Sequence, residues 1–256
     1  MSSKCPFAAL LPAMMRRPSS HPHPYPHQPP RPPLTQELKE KTRQQHDEAE
    51  HHGLHEVMFG SQGVDAARDA YVGTLQQHLH IQIAFERELR RLAKESPGFA
   101  SIVRDEHYHL AALRNDLRAF RAAEVEPTPG TRSFIEYIER AARGDGMALL
   151  GVFYVFEGST NGGTIIAMRV SELLGLAPGV GTTFINPHGN QVRPIWMKWK
   201  AAVDALTLTD AQRDAAIAGA QEAFRLSGAV LSDVAQSTSR TGFQPVDSDS
   251  RSRSAV

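Results

Sequence analysis

The sequence predicts an all-α fold, a multi-helix bundle, and three observations carry that expectation. Apolar residues recur at spacings of three and four through nearly all of the central region. No stretch alternates apolar and polar residues as a half-buried strand would. Clusters of proline, glycine and small polar residues interrupt the pattern at intervals suited to helix connections. The ends differ from this middle. RRPSSHPHPYPHQPPRPP at 16–33 favours an extended polyproline-like tail, and the polar stretch 237–256 has too little apolar surface to pack. The expected organisation is a tail at 1–33, a helical domain at 34–236 and a second tail at 237–256.

The first helical segment is LTQELKEKTRQQHDEAEHHGLHEVMF, 34–59, with Thr35 as its N-cap. Leu38, Thr42, Gln45, His46 and Ala49 share one face of it. Gly63 and Asp65 open a second helix, 65–94, carrying Tyr71, Leu75, Leu79, Phe85 and Leu89, and Pro97–Gly98 ends it. A third helix is expected at about 100–122 and a fourth at about 131–143, separated by EPTPGT. A long, strongly apolar helix follows, about 146–174, and contains GVFYVFEGSTNGGTIIAMRV. The turn-rich link LGLAPGVGTTFINPHGN leads to two last helices, 190–206 and 209–236, the latter capped by Thr209.

Charge and composition narrow the function. Lys and Arg total 28, as do Asp and Glu, so the basic excess of a dedicated nucleic-acid binder is missing. A single cysteine, Cys5, excludes an internal disulfide framework and suits a reducing cytoplasm. No apolar run approaches the ~20 residues of a membrane span. PFAALLPAMM near the start is followed by arginines where a signal-peptide cleavage site would stand, so an untargeted cytoplasmic chain is expected.

The feature that most needs explaining is EGSTNGG, 157–163, in the middle of the apolar helix. A glycine inside a helix costs roughly 1 kcal/mol relative to alanine. Gly158, Gly162 and Gly163 together require compensation, either a close helix crossing or a ligand that needs bare backbone beside it. His46 has two readings as well, a satisfied core histidine or a neutral imidazole ligand to a metal. Glu50, one turn later, is placed to fix the ring's tautomer. Lys39 and Arg43 lie on a solvated face or reach towards acidic groups at a pocket edge. Two Glu-x-x-His pairs, Glu48/His51 and Glu106/His109, suggest a di-iron site as an alternative, although no further inward carboxylates complete it.

These motifs carry a resemblance. LKEKTRQQHDEAE resembles the proximal-helix signature of the heme oxygenase family, and GVFYVFEGSTNGG resembles its distal helix, in the form found in bacterial, biliverdin-producing, phytochrome-associated enzymes. FINPHGNQVRPIWMKW and LTLTDAQRDAAIAGAQEAFRLSGAVL are similar to the segments that follow in that family, in the same order. The resemblance spans about 34–236. It implies heme sandwiched between a proximal and a kinked distal helix, with His46 as the iron's ligand. It further implies Gly158, Ser159 and Gly162 in the distal catalytic region, and Lys39, Arg43, Glu50, Gly158, Gly162, Gly163 and Lys200 around the heme. Ser159 stands where some members have aspartate, His188 where tyrosine is usual, and Asn161 where a bulkier residue is usual.

The implied reaction opens the heme ring with O2 and electrons from an external reductase or ferredoxin. Its products are biliverdin, carbon monoxide and ferrous iron, with a phytochrome as a possible recipient of biliverdin. Heme is then both substrate and cofactor. A heme-binding carrier or sensor on the same scaffold is the other reading, and Lys4-Cys5-Pro6-Phe7 resembles a heme-regulatory Cys-Pro motif.

Overall fold

The computed structural model describes residues 31–50 and 63–241. The sequence expectations for most of both tails, for the end of the first helical segment and for Cys5 and His51 lie outside the described residues; residues 237–241, expected in the second tail, instead continue the last helix. Among the described residues the fold is all-α. Nine α-helices follow in order: α1 Leu34–Lys41, α2 Arg43–Glu50, α3 Val64–Glu95, α4 Pro97–Ile102, α5 Leu110–Ala119, α6 Pro129–Ala141, α7 Met147–Leu174, α8 Val192–Asp204 and α9 Asp210–Thr241. Short 3-10 turns at Asp105–His107 and Gly189–Gln191 precede α5 and α8.

The long helices α3, α7 and α9 form the frame: α7 buries its apolar stripe along α9, and α3 packs against α9 and the shorter α4, α5 and α6. Phe85, Phe99, Phe134, Phe153 and Leu150 fill the principal core. A second cluster, built on Tyr71, Leu75, Leu113, Leu117 and Val170, lies under the link that follows α7. The tightest helix–helix contact joins α7 to α9. A Cβ on Gly151 would stand 2.0 Å from the Ala216 carbonyl oxygen, and one on Gly219 would stand 2.0 Å from that of Ala148. The two backbones therefore touch, and only glycine fits at either position.

Two expectations change. Thr35 is not the N-cap of α1; Pro33 occupies that position without a side-chain cap. Thr35 instead uses its backbone N–H and its hydroxyl to donate to the Asp204 carboxylate, at 2.9 and 2.8 Å. That tie, with the partly buried Arg213–Glu37 ion pair at 2.6 Å, fastens α1 to the end of α8 and the start of α9. The continuous helix expected at 100–122 is also broken. Val103 and Arg104 are extended, and the Arg104 N–H donates to the Nδ1 of buried His107 at 3.0 Å. A side chain thus satisfies a backbone group that helix continuation would have satisfied.

Thr209 does cap α9. Its hydroxyl accepts from the Gln212 N–H at 3.2 Å, and the Gln212 side-chain oxygen accepts from the Thr209 N–H at 2.9 Å, a reciprocal capping box. No helix among the described residues is long and apolar enough to cross a membrane.

Candidate active site

α1 and α2 form nearly one rod. At Thr42 the hydroxyl donates to the Leu38 carbonyl at 2.7 Å, and the His46 N–H bonds the Thr42 carbonyl at 2.9 Å, so the chain turns without losing its helical path. The apolar stripe begins under cover, with Leu38 and Thr42 buried, and then loses it: His46 is exposed. Its ring meets Phe224 of α9 edge-on, with centroids 6.1 Å apart. Beside it the Gln45 side-chain oxygen is buried without a hydrogen-bond partner. A histidine on a core-facing stripe, left open and next to an orphaned polar atom, fits a surface that a bound group completes. Lys39 and Arg43 are exposed on the same rod. Glu50 closes α2, and its side chain lies outside the described residues.

The three glycines of α7 separate in role. A Cβ on Gly163 would fall 1.6 Å from the Ile185 carbonyl oxygen, so that glycine admits the link after α7. Gly158 faces the Trp196 ring, 3.7 Å from where its Cβ would be. Gly162 alone of the three opens onto free space. Close packing accounts for Gly163, and for Gly151, which the sequence reading overlooked within its apolar run. Only Gly162 keeps the reading of bare backbone left open.

The helix is loosened here as well. Ser159, Thr160 and Asn161 each turn their side chains back to donate to the carbonyl three residues earlier, at 2.7, 2.7 and 3.0 Å. Such back-bonding competes with the helix's own hydrogen bonds and favours bending. Ser159 and Asn161 are exposed on the side of Gly162, whereas Glu157 and Thr160 are buried. Lys200 of α8 is half-buried, with its Nζ 5.4 Å from the centre of the Trp196 ring, and Trp196 stacks on Trp199 at 5.3 Å.

The link 175–191 is built rather than loose. The buried Asp116 carboxylate accepts from the Thr183 N–H at 3.0 Å, the Thr183 hydroxyl at 2.6 Å and the Phe184 N–H at 2.7 Å. Tyr71 donates its hydroxyl to the Gly181 carbonyl at 2.8 Å, and burial raises that phenol's pKa. Gly181 has φ +74° and lies against the Phe120 ring, so a side chain there would be both strained and obstructed. His109 is not paired with Glu106, which is exposed; it lies with Glu157 and His188.

Both described parts of the candidate site lean on one helix: α2 and α7 each pack against α9. Comparison with known proteins identifies the family. Residues 32–233 match the heme oxygenase family model. Human heme oxygenase 1 is 29% identical over 202 residues, covering 76% of this chain and 69% of that protein. The heme oxygenase structure from Leptospira interrogans superposes with a TM-score of 0.70 at 23% identity, covering 79% of this chain and all of that one. Heme oxygenase-1 from Synechocystis, solved in complex with heme, gives 0.72 at 18% identity over 82% of this chain and 96% of that one. The chain belongs to the heme oxygenase family and is a heme-degrading enzyme.

Proposed function

We propose that His46 holds the iron of substrate heme, and that the α7 segment Gly158–Gly162 borders the opposite face, in the ring opening of heme to biliverdin, carbon monoxide and ferrous iron. The observation that carries this assignment is the exposed His46 on a core-facing stripe, seated on Phe224 of the helix that also supports α7. Neutral imidazole is a suitable ligand for heme iron, and one turn beyond His46 a Glu50 carboxylate would hold its second ring nitrogen.

Bound heme supplies the iron at which O2 is reduced and the carbon skeleton that is cut; the protein orients and shields it. Gly162 leaves room for close approach of the ring. Ser159, hydrogen-bonded to the Phe156 carbonyl, keeps its hydroxyl oxygen available to order a water that relays protons. Lys39, Arg43 and Lys200 hold the heme carboxylates, and Gly163 contributes by letting the Ile185 backbone brace α7. Electrons come from a reductase or ferredoxin, and a phytochrome is the proposed recipient of biliverdin.

The test is heme titration followed by turnover with O2 and a reductase, recorded by absorption. Wild-type protein gives a histidine-ligated heme spectrum that converts to biliverdin. A spectrum that forms and never converts would support a heme carrier instead.

A further inference from the structure

Away from Gly162, on the buried side of α7, three side chains capable of binding a metal converge. They are His109 at the start of α5, Glu157 of α7 and His188 at the end of the link, and their candidate donor atoms all lie within 4.8 Å of one another. Glu157 is 2% exposed and His109 8%. Their closest approach, His109 Nε2 to Glu157 Oε1, is 3.5 Å, and it is not aligned as a hydrogen bond. His109 Nε2 and His188 Nε2 are both buried without a hydrogen-bond partner, and the two rings stand edge to face at 5.3 Å.

A buried carboxylate beside two unsatisfied imidazoles is costly unless one partner serves all three. A protonated His109 would serve Glu157 but leave His188 unpartnered. His107, next to the cluster, is not part of it, because its Nδ1 accepts from the Arg104 N–H and its proton is therefore on Nε2. Two imidazoles and one carboxylate are a donor set that zinc takes with a fourth position open. Zinc–ligand bonds of about 2.0–2.1 Å in a tetrahedron place donor atoms roughly 3.3 Å apart, so the observed cluster needs only a small inward rotation of its side chains.

We propose that His109, Glu157 and His188 bind one Zn2+ ion, separate from the heme iron, which staples the link after α7 to α7 and to the start of α5. The site needs nothing from the heme-facing side. The ion joins three elements distant in sequence, and it does so at the residue immediately before Gly158.

The experiment uses the full chain without heme, stripped with a chelator and titrated with Zn2+ or with Co2+ as a spectroscopic substitute. One ion per chain should bind, give intense tetrahedral Co2+ absorption and raise the Tm. Glu157→Gln preserves shape and should weaken binding by more than about a hundredfold, beyond the loss typical of disturbing an outer-shell partner. His188→Ala should abolish the Tm rise. Changing His21, His23 and His27 together to serine should leave that rise intact, which separates the site from metal capture by the proline-rich segment. No Tm rise in the wild type, or a rise that persists in both Glu157→Gln and His188→Ala, would overturn the proposal in favour of a bridging water. His46→Ala must bind Zn2+ normally, so failure of the heme assignment and failure of this one are distinguishable.

Discussion

The Ile185 carbonyl oxygen stands 1.6 Å from the point a Cβ on residue 163 would occupy, so Gly163 and Ile185 are packed backbone to backbone. Gly163→Ala therefore forces α7 and the link apart. It should cost about 3 kcal/mol, the upper end of overpacking penalties, measured by urea unfolding.

Gly162, its neighbour, should behave in the opposite way. With open space at its Cβ position, Gly162→Ala should raise stability by up to about 1 kcal/mol through helix propensity. Gly162→Leu should fold as well as Gly162→Ala yet slow biliverdin formation sharply, with heme still bound at His46. Normal ring opening in a folded Gly162→Leu protein would remove Gly162 from the heme-facing surface.

His46→Ala should cost little stability, because the side chain is exposed. It should abolish the histidine-ligated heme spectrum and most turnover, with the far-UV circular dichroism unchanged. An unaltered axial-ligand spectrum would show that another residue holds the iron.

Asp116→Asn should loosen the link after α7. The carboxylate accepts three hydrogen bonds from Thr183 and Phe184, and an amide cannot accept all three at both of its ends. Loss should be about 2–3 kcal/mol, given what hydrogen bonds to a charged group contribute. Amide exchange at Thr183 and Phe184 should accelerate more than exchange in the middle of α3.

His78 sets an acid limit on stability. Packed beside Phe184, it has its pKa lowered by burial to about 4, against 6.5 for the free side chain. Because the folded-state pKa lies below the unfolded one, the unfolded chain binds the proton first. The contribution is therefore complete above pH 6.5 and is lost as pH falls towards 4. The whole shift corresponds to at most about 3 kcal/mol. Urea midpoints measured from pH 7.5 down to 4.5 should fall for wild type and fall less steeply in His78→Gln, where buried His107, also lowered to about 4, still contributes.

The long helices were legible in the sequence because their apolar periodicity runs through many turns, and Thr209 was legible because a cap is a local device. Thr35 misled for the opposite reason. Its hydroxyl serves Asp204, far along the chain, and no local pattern announces that partner. The break at Val103–Arg104 carries neither proline nor glycine, so nothing in the pattern interrupts the helix there. For the candidate site, His46 and the glycine cluster stood out by residue type, but the distinct surroundings of Gly158, Gly162 and Gly163 are a property of packing. His109, Glu157 and His188 come together only once the link after α7 is folded; the one hint was a histidine where the family usually has tyrosine.

The contact at Gly151 and Gly219 has a consequence for how such a protein can be altered. Because α9 supports α2 through Phe224 and meets α7 backbone to backbone, it acts as a common rail. Displacing the rail carries His46 and Gly162 along together, whereas displacing either rider changes the distance between them. Overall robustness and the spacing of the two elements proposed to face heme are thus governed by different residues. An engineer can strengthen the underside of α9 without resetting the gap, and can retune the gap from α2 without weakening the frame.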